Sequence, residues 1–546
     1  LLAVAGCSAK YHEQWADKQV YAIIRARQKD VYGHEMPFKI AAPPDSLFAP
    51  WPRSAALEEV MSGWEKAREG NPAEGENGDG LRPIILSLAD CLKIATRLNR
   101  DYQSQKETVY LAALALTAAR YEFDPQWDAG GESTWNRTRV NIQDVDSSAS
   151  LGVSQRLMQG AVITANIGLT ALRYVNSELA NQIQSTFNLS VSQPLWRGAD
   201  PRVVQENLIQ AERNALYAVR TYARFEKTFV VRVADSYFRV LERQDEVENN
   251  RQNYESLKAS RKRAEWLARA GRVKQFQVDQ TFQDELEAEN RWVIAQETYA
   301  ILLDEFKITL GLPTDAEIEL DRSDLERLAE VGLQKMKIDV GEAVAKALKI
   351  RLDLANRRDG VDDAGRRAYV AKDDLKGDVT LVASWGVETP TETRASRLRW
   401  HESGSSVGLD FDLPLDRLLE RNSYKSAQIS LNRAIRSMTL KEDNVKLDVR
   451  TAYERLQRAM KSYEIQLLSV ALAQRRVEST ELLLEAGRAI TRDVLEARRA
   501  LVDAKNSLTQ SLVDYTISRL EFLRDVGTLT VDNKGLFNDA IFEQEP

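Results

Sequence analysis

The sequence predicts an α+β chain in which long antiparallel helical hairpins, packed as coiled coils, follow pairs of amphipathic strands. Three observations predict it. Two long segments are free of helix breakers: 202–312 has no proline and, before Gly311, only Gly271, while 415–545 has no proline and, before Gly527, only Gly487. Four short segments alternate apolar and polar residues with a period of two, the pattern of a strand with two unlike faces. The chain also repeats itself at a fixed offset of 216 positions, as Gly271 to Gly487 shows (487 − 271 = 216).

The chain opens LLAVAGCSAK, an apolar run and small residues ending in a cysteine, like the end of a secretory signal followed by a bacterial lipobox, VAGC. Residues 1–7 therefore read as a signal remnant, without the charged region that precedes such a run. Cys7 is the candidate lipidation site, and Ser8 after it suits delivery to an outer membrane. Several acyl chains on one cysteine hold firmly to a bilayer. Residues 8–85 read as an N-terminal helix and a tether. Residues 11–31 are helical in pattern, 41–52 are proline-rich and extended, and 68–80 form an acidic Gly/Asn linker.

The first repeat spans 86–312. It begins LSLADCLKIATRLNRDY at 86–102, a helical stretch echoed by IDVGEAVAKALKIRLDL at 338–354. Cys91 lies in the first of these and reads as a small buried residue. Two strands are predicted near 160–196. Ile163, Ala165, Ile167, Leu169 and Ala171 oppose Thr164, Asn166, Gly168 and Thr170; then Phe187, Leu189, Val191 and Leu195 oppose Asn188, Ser190 and Ser192. A helical hairpin over 202–310 follows, with Tyr222, Phe225, Phe229, Val233, Tyr237 and Val240 at coiled-coil spacing.

Residues 313–336 read as a linker, and the second repeat spans 337–530. Its strands are predicted near 378–388 and 404–415, with Val379, Leu381, Ala383, Trp385 and Val387, then Val407, Leu409, Phe411 and Leu413, on the apolar side. Its hairpin covers 416–526, and 531–546 is a tail. The repeats stay in register without a gap: Tyr237 matches Tyr453, Val278 matches Val494, Asn290 matches Asn506 and Gly311 matches Gly527. Each lone glycine marks a hairpin tip. The arm before Gly487, about 65 residues, would be roughly 100 Å long at 1.5 Å per residue.

Strands apolar on one side and polar on the other suit a transmembrane β-barrel or a soluble sandwich. The long helices and the lipobox favour the barrel. Eight strands is about the smallest barrel, so four per chain demand several copies. No apolar run is long enough for a transmembrane helix; VYLAALAL at 109–116 is the longest candidate. The net charge of −7, with both signs interspersed, excludes the concentrated basic face of a nucleic-acid binder. Two cysteines build neither a disulfide framework nor a metal cluster. His12, His34 and His401 stand singly beside glutamates, and no phosphate loop or nucleophile elbow is present, so neither an enzyme nor a cofactor is expected.

LSLADCLKIATRLNRDY, VSQPLWRG at 191–198 and GRAITRDVLEARRALVDAKN with its first-repeat counterpart together resemble the TolC-like outer-membrane efflux proteins, of lipoprotein type, over about residues 86–530. The resemblance implies a homotrimer with a 12-stranded barrel in outer-membrane lipid. It implies a continuous tunnel of twelve helices across the periplasm. A periplasmic adaptor and an inner-membrane pump of RND, ABC or MFS type would dock at the hairpin tips. The family's periplasmic gate maps onto Asp493 and Glu496, which in a trimer make two carboxylate rings able to hold cations and set ion selectivity. Their first-repeat counterparts are the neutral Gln277 and Gln280. Arg488, Arg492, Arg498 and Arg499 could equally pair Asp493 and Glu496 locally as ordinary surface residues. Leu267, Ala270 and Gly271 with Leu483, Leu484 and Gly487 form the expected tip turns and adaptor contact. The implied function is passive export of small molecules through a tripartite system; a type I protein-secretion duct and a non-conducting, lipid-anchored periplasmic scaffold are the alternatives.

Overall fold

The computed structural model describes residues 9–40, 84–137, 143–176, 178–333, 339–389, 398 and 400–531. Cys7, the 41–80 tether and the tail after 531 lie outside them. Chain contacts divide the protein into two units, one built from 1–35, 108–220 and 355–441, the other from 36–107, 221–354 and 442–546.

The first unit carries helix α1 (Ala9–Tyr32) and one antiparallel sheet of six strands, in the order β2-β3-β4-β5-β7-β8. The strands are β2 (Gln126–Arg137), β3 (Gln143–Arg156), β4 (Val162–Tyr174), β5 (Gln182–Pro194), β7 (Asp378–Glu388) and β8 (Gly404–Asp412). The last four stand where the alternation predicts strands. The first two correct the expected count of four. Their apolar side reads Trp127, Ala129, Gly131, Ser133, Trp135, then Val145, Ser147, Ala149, Leu151, Val153. Small and hydroxyl residues dilute the period-two signal, so hydropathy alone does not reveal them. Three such chains would carry 18 strands, not 12.

Register joins the strands into one two-faced surface. Trp127 lies opposite Val153, Leu151 opposite Ile167, Ile167 opposite Phe187, Phe187 opposite Val387, and Leu381 opposite Leu409. The other face carries Ser150 against Gly168, Asn166 against Asn188, and Ser384 against Ser406. A sheet with a dry face normally packs that face on a second layer. Here Val407 is 76% exposed and Trp127 70%.

The second unit holds the helical hairpins from residues 221 and 442 onward, including both tips. Helix α5 (Glu206–Arg269) turns into α6 (Gln275–Leu310), and α10 (Leu418–Glu485) turns into α11 (Thr491–Val526). Both returning helices have 36 residues, and their starts differ by 491 − 275 = 216 positions. Each ends in a left-handed glycine, Gly311 at φ 83° and Gly527 at φ 92°. At Gly311 a Cβ would lie 2.4 Å from the Leu98 carbonyl oxygen, so both conformation and space require glycine.

Side chains lock the hairpins together. Arg239 pairs with Asp514 at 2.6 Å, Asn249 donates to Asn506 at 2.9 Å, and Thr509 donates to Asp245 at 2.8 Å. Tyr254 stacks on Trp292. Strand β1 (Ile84–Leu86) pairs in parallel with β6 (Ile318–Leu320) beside α2 (Leu88–Leu98). The segment expected as a linker thus contains β6 and helix α7 (Ser323–Val331), and β1 straddles the expected boundary between tether and first repeat. Three-residue strands are too short to show a period. What fixes them is Asp324, 3% exposed, which accepts the Leu88 amide at 3.1 Å and the Tyr237 hydroxyl at 2.7 Å. Burial, reinforced by this carboxylate, pushes the Tyr237 hydroxyl up, so it remains a donor. Cys91 is fully buried, as the sequence predicts.

Candidate functional site at the hairpin tips

The two tips share one backbone design. Gly271 has φ 73° and Gly487 φ 68°, both left-handed. The Arg272 amide reaches the Leu267 carbonyl at 2.8 Å and the Gly271 amide the Ala268 carbonyl at 2.9 Å. The Arg488 amide likewise reaches Leu483 at 2.8 Å and Gly487 reaches Leu484 at 3.0 Å. These are Schellman closures, which satisfy carbonyls that a helix end leaves free. A Cβ at either glycine would meet nothing within 4 Å, so the tips stand clear and only φ selects glycine. Of the predicted contact residues, Ala270, Gly271, Leu483 and Gly487 are exposed; Leu267 and Leu484 are half-buried.

The four predicted gate residues lie just past these turns. Asp493 sits third in α11 and accepts the Ile490 amide at 3.1 Å. Gln277 holds the same place in α6 and accepts the Lys274 amide at 3.4 Å. Both satisfy a donor that a helix start leaves free, and the Asp493 charge also suits the positive end of the helix. Glu496 is exposed and pairs with Arg476 of α10 at 2.9 Å. Gln280 lines a polar cavity of about 330 Å³ with Asp284, Glu287, Arg492, Glu496 and Arg499.

The arginines make a different set of ties from the local pairs the sequence offers. Arg498 reaches back to Glu481 of α10 at 2.6 Å and across to Ser260 of α5 at 3.2 Å. Arg499 reaches α6, at 2.6 Å from Glu287 and 3.5 Å from Asp284. Arg261 of α5 pairs with Glu285 of α6. Burial raises the Asp284 carboxyl, and Arg499 opposes that shift. Two adjacent arginines of α11 therefore bind all three other helices. Sequence reasoning missed this because it compares neighbours along one helix, whereas the partners lie 17 to 242 positions away.

Comparison with known proteins agrees with this architecture. The family model described as "Outer membrane efflux protein" matches residues 343–526. The outer membrane protein TolC of Vibrio cholerae is 26% identical over 337 residues, covering 59% of this chain and 73% of its own. TolC of Salmonella enteritidis is 24% identical over 394 residues, covering 68% and 75%. The crystal structure of the Campylobacter jejuni CmeC outer membrane channel superposes with a TM-score of 0.60 at 14% identity, over 90% of this chain and 94% of that one, a likeness of fold. With a one-sided apolar sheet and duplicated helical hairpins, residues 343–526 match the outer membrane efflux protein family and the chain as a whole is similar to the TolC-like outer-membrane efflux proteins.

Proposed function

We propose that this protein is the outer-membrane channel of a tripartite export system. It conducts small molecules passively from an inner-membrane pump and a periplasmic adaptor to the outside. One observation carries the reading: a six-stranded sheet whose apolar side leaves Trp127, Ile167, Leu169, Val407, Leu409 and Phe411 exposed occurs in the same chain as long helical hairpins. A lipid bilayer is the environment that accepts such a face on a closed barrel. A periplasmic scaffold has no use for it.

The channel is a homotrimer. In one chain, α6 leaves Ile294, Ile301 and Ile308 exposed at seven-residue spacing, and α10 leaves Leu440 and Leu447 exposed in the same way. Apolar residues every seven positions form the seam of a coiled coil, which here a neighbouring copy supplies. Cys7 carries the lipid anchor. The adaptor takes the tip turns around Leu267, Ala270, Gly271, Leu483, Leu484 and Gly487.

Asp493 and Glu496 of three copies ring the periplasmic entrance, with Gln277 and Gln280 as the neutral first-repeat counterparts. Gating follows from the ties: while Arg476, Arg498 and Arg499 hold α11, the rings stay narrow. When docking separates the helices the rings dilate and cargo moves down its gradient. The test is planar-bilayer conductance of the Asp493→Ala, Glu496→Ala double variant against wild type, with and without millimolar divalent cations. Divalent block in the wild type that the variant loses supports the gate. Identical block in both moves the gate elsewhere.

A further inference from the structure

The sheet has two free edges, and they are alike. Every residue of β2 after Gln126 is exposed, and so is every residue of β8. Bare edges of 12 and 9 residues are templates for further strands. The six strands alternate in direction, so β2 and β8 run opposite ways. β8 of one copy can therefore pair antiparallel with β2 of the next, and the ring stays antiparallel throughout.

The β2–β3 hairpin is a full member of this wall. Every residue from Asp144 to Arg156 pairs with β4. Its apolar side continues that of the other four strands. Trp127 and Trp135, eight residues apart, stand about 26 Å from each other along β2 at ~3.3 Å per residue. On a strand tilted by ~40° that is about 20 Å of height, within the apolar band of roughly 25 Å that aromatic residues flank in outer-membrane barrels.

We propose that three copies close a single 18-stranded barrel, β2 of each copy pairing with β8 of the next. This rests on the trimeric channel reading and corrects the 12-strand expectation. At a strand spacing of ~4.8 Å and a tilt of ~40°, 18 strands give a backbone diameter of about 36 Å, against about 24 Å for 12. The lumen side makes the pore wider still. Its middle carries Ser148, Ser150, Gly152, Gly168, Ser190 and Gly386. Toward the ends it carries Asp128, Asp144, Asp146, Asp410 and Asp412, with Arg156 the one base among the described ladder residues of that face. Such a lumen admits bulky hydrophilic cargo and favours cations over anions.

Disulfide trapping in the full-length protein in outer membranes tests the pairing. Gly408→Cys, where a Cβ meets nothing within 4 Å, is combined with a cysteine at Asp128, Gly130, Glu132 or Thr134 of β2. A parallel set places the second cysteine at Thr164, Asn166, Gly168 or Thr170 of β4, the neighbour β8 would have if the β2–β3 hairpin stood outside the barrel. The single Gly408→Cys variant controls for the native thiols. The expected result is thiol-reversible two- and three-chain species for at least one β2 position and none for β4. Cross-links to β4 alone overturn the proposal in favour of 12 strands. A protein that is trimeric by light scattering yet cross-links with neither set also overturns it. A protein that is not trimeric defeats the parent reading instead.

Discussion

Removing both arginine ties at the tip, with Arg498→Ala and Arg499→Ala, should release the gate. Arg498 is only 24% exposed and holds Glu481 of α10 and Ser260 of α5. Charge-assisted bonds of this kind contribute about 1.5–3 kcal/mol. Arg499 and Glu287 are 43% and 51% exposed, so that pair adds only about 0.2–1 kcal/mol. Together the closed tip loses roughly 2–4 kcal/mol relative to a state in which the helices have separated. At 1.4 kcal/mol per factor of ten, the open-to-closed ratio rises between about 30-fold and about 1,000-fold. The assay is open probability in planar bilayers. Lys446→Ala is the control, because its partner Asp443 lies three residues before it on the same helix. An open probability within threefold of wild type, in a variant that keeps its helicity and trimer, would refute the claim that these ties hold the gate.

Other parts of the fold give separate expectations. Tyr237→Phe removes a donor from buried Asp324 and should lower stability by about 1.5–3 kcal/mol in urea unfolding. Gly487→Ala meets no atom and should cost only the left-handed backbone strain, about 1–2 kcal/mol in urea unfolding. Gly311→Ala adds a collision with the Leu98 carbonyl and should cost about 2–5 kcal/mol, seen as a lower midpoint in urea unfolding. Burial raises the Glu242 carboxyl despite Arg239 beside it. The folded chain therefore takes up that proton before the unfolded chain does, and the group's contribution is most favourable below its ordinary pKa, becoming less so as pH rises through the raised value. Unfolding of wild type against Glu242→Gln at pH 7 and pH 4.5 should show the difference moving toward wild type on acidification.

The tips were the most legible part of the sequence. A lone glycine in a long breaker-free helix has few physical explanations, and the same residue recurring 216 positions later leaves the hairpin turn. The strands were half legible. β4, β5, β7 and β8 write their faces in Ile, Leu, Val and Phe, while β2 and β3 write theirs in Gly, Ala and Ser between tryptophans. Only pairing with β4 shows those residues to be one face. Asp493 illustrates a different loss. Its place three residues after Ile490 is a capping position, visible beforehand in the matching Lys274 and Gln277, yet the resemblance drew attention to a ring of charges. The ties of Arg498 and Arg499 depend on how two hairpins pack, which spacing along one helix does not encode.

Ion conduction by the purified full-length protein is the most direct test of the central claim. In a planar bilayer under a tenfold KCl gradient, the account predicts stepwise currents whose reversal potential lies on the cation-selective side, as acidic rims and an acidic gate require. A folded, trimeric preparation that inserts into the bilayer and passes no current would contradict it.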